Sequence, residues 1–325
     1  MINTKKIIEE DAKIAAFVLP LSEIVNTPKG KIEILHLSSN FRPAKSSDAP
    51  TILLIHGAIG GHDQSVWLFD FLFGLGFNVL GLSRPGYCRT PLAPSQTFVE
   101  QADLIAAVLD ELGINQVIAI GLSAGGPTLY QLAIRHPDKV KALVAINCIS
   151  RRFQILRTIP KFMPYLLGRV GSWFLNQLVR LKPVLSAKLF LKINSLLSEE
   201  EIEARAFEIA TDPARFKYIN RFYKCILQFN KLRKNGVNND LKQVRDLKSL
   251  ALKDIKCPSL IIHGTADAAV LFYDGLYAAS CILKAKPIWI EEGSHFGLWL
   301  SPQAKEIQSQ LIHFVKQYGD SNESY

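Results

Sequence analysis

The chain has 325 residues, of which 48% are hydrophobic and 21% are charged. This composition excludes a disordered chain, and the length fits one large α/β domain or one domain with an insertion. Lysine and arginine number 38 against 29 aspartates and glutamates, and the net charge of +9 leaves nucleic acid, anionic membranes and acidic substrates open as partners.

Short apolar runs rich in β-branched residues predict strands over 32–38, 51–56, 77–82, 116–121, 142–147, 259–263 and 287–291. Most of them are apolar throughout, as in strands that are buried on both faces of a parallel sheet. Helical spacing over 97–112, 126–136 and 303–317 alternates with these strands. The alternation predicts an α/β fold with a mostly parallel central sheet and helices on both faces.

The alternation stops near residue 150 and resumes near residue 257. We therefore predict an α/β core formed by 1–150 and 257–325, with a helical insertion over 151–256 in which Pro160, Pro164 and Pro183 are interruptions. The insertion contains 22 lysines and arginines and 9 acidic residues, which leaves 16 and 20 for the rest of the chain. The whole excess of positive charge therefore lies in the insertion.

The N-terminus and the cysteines indicate the cellular compartment. The first 17 residues contain three acids and lack the apolar stretch of a signal peptide, and no segment reaches the ~18 apolar residues that cross a bilayer. The five cysteines are odd in number and include no CxxC pair, which favours free thiols over disulfides or a zinc site. We expect a cytoplasmic protein that uses no metal and no cofactor.

A candidate nucleophile follows the predicted strand over 116–121. Gly121-Leu122-Ser123-Ala124-Gly125 is a G-x-S-x-G motif between an apolar strand and a helix. A serine on such a tight turn needs small neighbours, and glycine two positions to either side supplies them. The adjacent helix N-terminus favours negative charge that develops beside the serine.

A serine nucleophile needs a base and an acid that orients the base. His295 lies in a glycine-bounded loop after a strand, whereas His263 and His56 end strands and are each followed by glycine. Asp267 follows a buried strand by four residues, so its carboxylate is expected at the carboxyl edge of the sheet, where sites occur in open α/β folds.

Taken together, these segments resemble the α/β-hydrolase fold superfamily, specifically a serine hydrolase with a helical lid. The matching segments run in the family's order and cover the chain apart from the insertion and the two ends. They are LLIHGAIGG at 53–61, GLSRPGYCRTP at 81–91, GLSAGG at 121–126, HPDKVKALVAIN at 136–147, CPSLIIHGTAD at 257–267 and GSHF at 293–296.

The resemblance implies roles for individual residues. Ser123 would be the nucleophile, His295 the general base and acid, and Asp267 the orienting carboxylate, in the family's chain order. The oxyanion hole would be formed by the backbone N–H groups of Ala58 and Ala124. Asp274 is the alternative acid, His56 is expected to brace the oxyanion loop, and Arg84 is expected to pin its own loop.

The identity of the nucleophile narrows the reaction that the resemblance implies. Haloalkane dehalogenases and epoxide hydrolases of this family use aspartate, so Ser123 argues against both. We expect cleavage of a small-molecule carboxylic ester or thioester with an apolar acyl group. A cofactor-free perhydrolase or a carbon–carbon bond hydrolase on the same triad stays open, as does a non-catalytic ligand-binding protein of the same fold.

The insertion corresponds to the family's lid, or cap, and three interpretations of its basic character remain. It is an amphipathic cover with solvated charges, an interfacial element that contacts an anionic membrane, or a pocket wall for an anionic substrate. Nucleic acid is not expected, because no recognition motif is present. The oligomeric state is left open. The residues expected to line an acyl pocket are Phe153, Phe162, Met163, Tyr165, Trp173 and Phe174.

Overall fold

The computed structural model describes residues 3–44, 49–152, 169–227 and 232–319. The strands in these ranges are β1 (Glu23–Thr27), β2 (Gly30–Leu37), β3 (Thr51–Ile55), β4 (Asn78–Ser83), β5 (Val117–Leu122), β6 (Val140–Ile146), β7 (Ser259–Gly264) and β8 (Ala285–Ile290). The helices are α1 (Thr4–Val18), α2 (Gln64–Leu68), α3 (Phe98–Glu111), α4 (Gly126–Arg135), α5 (Arg169–Leu181), α6 (Pro183–Asn194), α7 (Glu199–Thr211), α8 (Pro213–Leu227), α9 (Lys234–Arg245), α10 (Phe272–Cys281), α11 (Gly297–Leu300) and α12 (Ala304–Gly319).

The strands form one sheet in the order β1-β2-β4-β3-β5-β6-β7-β8. Strands β3 to β8 are parallel to one another, and β1 and β2 add an antiparallel edge. This arrangement confirms the predicted fold class. Strand β1 was not predicted, because it is a short edge strand without buried residues and carries no strong apolar pattern.

Two apolar cores lie on the two faces of the sheet. Leu104, Leu129 and Ala278 bring α3, α4 and α10 into one core, and Phe314 brings α12 into the other. Strands β3 and β5 are buried along their whole length between these cores. Burial on both faces explains why the central strands are continuously apolar.

Helix α3 shows how local sequence sets an element's bounds. The Thr97 hydroxyl accepts a hydrogen bond from the backbone N–H of Glu100, and the Glu100 carboxylate accepts one from the N–H of Thr97. This capping box begins the helix, and Gly113, with φ +66°, follows its end. The predicted helix over 97–112 is therefore confirmed.

Helices α5 to α9 follow β6 and precede β7, within the predicted insertion. Pro183 occupies the first turn of α6, a position that proline tolerates because no intrahelical N–H bond is needed there. Within the described residues, no helix is long and apolar enough to cross a membrane.

The N-terminal helix α1, which was not predicted, packs against the inserted helices. Asp11 accepts hydrogen bonds from Asn220 at 2.6 Å and from Arg221 at 2.8 Å, and all three side chains are buried. Arg221 also lies 2.9 Å from Asp70, which follows α2. Buried charges of opposite sign thus connect the inserted helices to two parts of the core.

Candidate active site

Ser123 lies on a sharp turn between β5 and α4 and has φ +53°, a conformation that side chains rarely adopt. A Cβ on Gly121 would lie 2.7 Å from Leu129, and one on Gly125 would lie 2.5 Å from the carbonyl oxygen of His56. Glycine is therefore required on both sides of the serine, as the motif predicts.

The structure brings Ser123, His295 and Asp267 together. The Ser123 Oγ lies 3.0 Å from His295 Nε2, and His295 Nδ1 lies 2.7 Å from Asp267 Oδ2. These residues follow three different strands, β5, β8 and β7, at the carboxyl edge of the sheet. Each contact is within hydrogen-bonding distance, so one connected chain runs from the hydroxyl to the carboxylate.

The Asp267 carboxylate is fully buried and is surrounded by donors. Besides His295, the Asn147 side-chain amide donates to Oδ2 at 2.5 Å, and the N–H groups of Ala269 and Val270 donate to Oδ1 at 2.8 and 2.9 Å. Burial alone would raise the pKa of Asp267, but the charge and hydrogen bond of His295 and the Asn147 bond lower it. The carboxylate is therefore kept ionised.

Asn147 was not anticipated. It directly follows β6 and has φ +48°, and a polar residue at the end of an otherwise apolar strand was the available signal. His263 is a further buried neighbour, with Nε2 2.9 Å from the Val270 carbonyl oxygen and 3.5 Å from Asp267. Burial lowers the pKa of His263, which favours its neutral form.

The alternative acid, Asp274, is engaged elsewhere. It accepts the backbone N–H of Ser150 at 2.9 Å, its carbonyl oxygen accepts the Ser150 hydroxyl at 2.8 Å, and Arg151 lies 3.4 Å away. The structure therefore pairs His295 with Asp267 and not with Asp274.

The loop after β3 runs beside the nucleophile. A Cβ on Gly57 would lie 2.9 Å from the Cβ of Ser123, which places Ala58 next to the serine. His56 Nδ1 lies 2.6 Å from the Gly57 carbonyl oxygen, and Nε2 accepts the backbone N–H of Arg84 at 2.9 Å. Burial, reinforced by the charge of Arg84, lowers the pKa of His56 well below its usual value. His56 is thus a neutral brace for this loop.

A family model with the description "alpha/beta hydrolase fold" matches residues 50–302. The chain belongs to the alpha/beta hydrolase fold family. A solved alpha/beta hydrolase fold protein from Nakamurella multipartita superposes with a TM-score of 0.82 at 28% identity, covering 92% of this chain and 100% of that one.

Curated relatives point to the same family. An uncharacterized hydrolase of Bacillus subtilis, YcgS, is 26% identical over 82% of this chain and 91% of its own length. A 2-hydroxymuconate semialdehyde hydrolase of Pseudomonas putida is 26% identical over 70% of this chain and 72% of its own length. Proteins named as esterases also match, with lower coverage or lower identity. A hydrolase of the alpha/beta fold is the class that these matches support.

Two buried ion pairs connect this hydrolase core to the inserted helices beside the loop after β3. Arg84, fully buried, donates to the His56 carbonyl oxygen at 3.0 Å and to both oxygens of Asp240 on α9, at 2.9 and 2.5 Å. Arg233, immediately before α9, donates to the Ile59 carbonyl oxygen at 2.7 Å and to Asp63 at 2.6 Å. Because neither partner is near in sequence, no local pattern predicts these pairs.

Apolar side chains surround Ser123 and His295 on two sides. Ala124 and the half-buried Ala58 belong to a cluster with Phe98, Ile149, Val244 and Val270, of which Val244 comes from α9. Beside His295, Phe296 packs at 4.6 Å between ring centroids against Phe222 of α8, which packs at 4.8 Å against Phe190 of α6. The inserted helices therefore contribute apolar surface on both sides of the site.

The structure gives little support to the residues that the sequence predicts in an acyl pocket. Phe153, Phe162, Met163 and Tyr165 lie outside the described residues, and Phe174 lies on α5 with a side chain that is not described. Trp173, also on α5, is 58% exposed, which does not favour a place in an enclosed pocket.

Among the described residues, Glu33, His62 and Cys88 form one group with metal-ligating atoms within 4.8 Å of one another. Glu33 already binds Arg89 at 2.6 Å and lies 3.3 Å from His62. Burial alone would lower the pKa of His62, but the contacts of its imidazole with Cys88 and Glu33 outweigh this and raise the pKa to about 9. The group is charge-balanced by its own protein partners, so we interpret it as a buried polar network next to the loop after β3.

Proposed function

We propose that this alpha/beta hydrolase is a serine hydrolase that cleaves a carboxylic ester or thioester with an apolar acyl group. The observation that carries the proposal is the connected chain from Ser123 Oγ to His295 at 3.0 Å and from His295 to Asp267 at 2.7 Å. A serine becomes nucleophilic when such a base removes its proton, and the buried carboxylate orients and stabilises the resulting imidazolium.

In the first half-reaction, Ser123 Oγ bonds to the substrate carbonyl carbon while its proton moves to His295 Nε2. The N–H groups of Ala58 and Ala124 stabilise the oxyanion. The bond to the leaving group then breaks, and the leaving alcohol or thiol takes the proton from His295. One donor of an oxyanion hole is typically worth about 3 kcal/mol in the transition state.

In the second half-reaction, the oxygen of a water molecule bonds to the acyl carbon and gives a proton to His295. The bond between Ser123 Oγ and the acyl group breaks, the acid leaves, and Ser123 recovers its proton. The cycle returns each group to its starting state and needs no oxidant or reductant.

The apolar cluster beside Ala124 and the three phenylalanines beside His295 support an apolar acyl group. We propose further that residues 151–256 act as a cap, since α6, α8 and α9 supply Phe190, Phe222 and Val244 to these clusters. Each methylene of the acyl chain that leaves water contributes about 0.8 kcal/mol.

A series of p-nitrophenyl esters of increasing chain length tests this proposal. The second-order rate constant kcat/KM should rise about fourfold per added methylene until the cap pocket is filled. A fluorophosphonate probe should label the wild-type protein and not the Ser123→Ala variant. No labelling of folded protein would exclude the serine hydrolase and favour a non-catalytic binding protein.

A second candidate, a carbon–carbon bond hydrolase on the same three residues, is favoured by the match to 2-hydroxymuconate semialdehyde hydrolase over 70% of this chain. The ester series separates the two. Labelling of Ser123 combined with negligible cleavage at every chain length would favour the second candidate.

A further inference from the structure

The last residue of α6 is hydrogen-bonded to the base and to the loop of the acid. The carbonyl oxygen of Asn194 accepts the backbone N–H of His295 at 2.9 Å and the backbone N–H of Ala268 at 3.4 Å. Ala268 directly follows Asp267 in the chain. One carbonyl group of the insertion therefore connects the main chain of the base with that of the acid loop.

The next two residues pair with the acid loop. Ser195 forms an antiparallel β-bridge with Asp267. The backbone N–H of Leu196 donates to the carbonyl oxygen of Ala266 at 2.8 Å. The bonds made by Asn194 and Leu196 thus lie on either side of the acid, as in an antiparallel pair of strands. We call Asn194, Ser195 and Leu196 the α6 bridge.

Buried side chains join the α6 bridge to its helix. The Asn194 amide donates to the carbonyl oxygen of Phe190 at 2.8 Å, and Asn194 is buried. The Ser195 hydroxyl, also buried, donates to the carbonyl oxygen of Leu191 at 2.7 Å. Each bond reaches the main chain four residues back, a local pattern that short polar side chains adopt in helices. A displacement of α6 would therefore displace the α6 bridge.

A ring contact connects α6 with the base loop a second time. Phe190 packs against Phe296, which directly follows His295, with 5.1 Å between the ring centroids. The Phe296 ring lies 5.2 Å from the imidazole of His295. Aromatic rings attract one another at such separations. Helix α6 thus contacts the base loop through its main chain and through a side chain.

The core joins the same two loops at an earlier point in each. The N–H of Ala266, one residue before the acid, donates at 3.0 Å to the carbonyl oxygen of Gly293, two residues before the base. The N–H of His295 itself is bonded to the insertion. The core therefore fixes the beginning of each loop, and the α6 bridge holds the residues that follow.

We propose that the α6 bridge positions the acid and the base for the proposed serine hydrolysis, on which this inference rests. Proton transfer between Ser123 and His295 requires a fixed placement of the imidazole, and a misplacement of about 1 Å can lower a rate about 10²-fold. The apolar contacts proposed to bind the substrate do not use these main-chain bonds. Loss of the bridge should therefore lower kcat by a much larger factor than it changes KM.

Leu196→Pro tests the bridge directly, because proline has no backbone N–H to donate to Ala266. The residue before a proline favours extended backbone, and Ser195 already has φ −137° and ψ 158°. We expect kcat to fall about 10²-fold and KM to change less than about twofold. Leu196→Ala is the matched variant, since it also shortens this exposed side chain but keeps the N–H. It should retain at least about half of kcat.

A second pair of variants leaves every main-chain donor in place. Ser195→Ala removes the hydroxyl bond to Leu191 and should lower kcat by about three- to tenfold. Thr211→Ala is its control, because the Thr211 hydroxyl makes the equivalent bond to the Phe207 carbonyl oxygen, at 3.0 Å, at the exposed end of α7. It should change neither constant. This pair decides the proposal if Leu196→Pro does not fold.

Proton NMR supplies a readout that needs no substrate. The proton between His295 Nδ1 and Asp267 Oδ2 should give a low-field signal that disappears in Asp267→Asn. We expect this signal to shift or broaden in Leu196→Pro and Ser195→Ala and to persist in the two matched variants. If a fluorophosphonate does not label the folded wild type, the hydrolase proposal fails, whereas the NMR comparison still tests the bridge.

Urea unfolding of each variant separates positioning from folding, because kcat is then compared per folded molecule. Folded Leu196→Pro protein with the kcat and the NMR signal of Leu196→Ala would overturn the proposal. So would equal losses of kcat in Ser195→Ala and Thr211→Ala, or a rise in KM as large as the fall in kcat.

Discussion

The core and the inserted helices contribute to the site in different ways. The core supplies Ser123, Asp267 and His295 from the ends of three parallel strands. The insertion supplies Asp240 and Arg233, whose buried ion pairs hold the loop that carries Ala58. The candidate catalytic residues are thus brought together at one edge of the sheet, whereas the loop beside them is held by residues far away in the chain.

The largest effect is expected from Asp267→Asn in the core. An amide in place of the carboxylate cannot stabilise the imidazolium of His295, and it would point an N–H at that of Asn147 or His295. The turnover number kcat should fall by about 10³–10⁴-fold, measured with the ester that the wild type cleaves fastest. Asp274→Asn is the control and should retain activity, and an equal loss in both variants would contradict the assignment of the acid.

Asp240→Asn tests the contribution of the insertion. Removing this charge leaves the Arg84 guanidinium buried without its counter-ion, so the free energy of unfolding should fall by about 3 kcal/mol. Arg84 also donates to the carbonyl oxygen of His56, so the same change loosens the loop after β3. We therefore expect kcat to fall by a larger factor than KM rises. Urea unfolding and steady-state kinetics measure the two effects. Asp246→Asn, at the exposed end of α9, should change neither.

The pH dependence of stability tests the buried network of the core. The pKa of His62 is raised to about 9, so between about 6.5 and 9 the native state binds a proton that the unfolded state has lost. Stability from this group is complete below about 6.5 and is lost as the pH rises through 9, by about 3 kcal/mol in total. The loss should disappear in His62→Gln, measured by urea unfolding at several pH values. The same loss in the variant would show that another group is responsible.

The smallest effect is expected from Trp173→Ala on α5. Because the side chain is 58% exposed, unfolding free energy should change by less than about 0.5 kcal/mol. A selective fall of kcat/KM for long-chain esters would instead place Trp173 in the acyl pocket, as the sequence suggested. Thermal unfolding and the ester series distinguish the two results.

Sequence patterns predicted the features that residues near one another in the chain determine. Buried parallel strands, the glycines around Ser123 and the helical spacing of α3 follow from short-range chemistry that one sequence displays. Arg84 pairs with Asp240, and Asp63 pairs with Arg233. The two members of each pair are more than 150 residues apart in the chain, so only the folded structure reveals these contacts. Asn147 carries only the weak local signal of a polar residue at the end of an apolar strand, and its contact with Asp267 is seen only in the folded chain, as are the contacts of α1 with Asn220 and Arg221.

The proposed hydrolysis requires that Ser123 carry the acyl group during turnover. Mass spectrometry of protein quenched during cleavage of a p-nitrophenyl ester tests it most directly. In the wild type, we expect an adduct of acyl mass on the peptide that contains Ser123. The adduct should accumulate when the attack of water on the acyl-enzyme is slow. It should be absent in Ser123→Ala. Turnover without any adduct, or an adduct that persists in Ser123→Ala, would contradict the account.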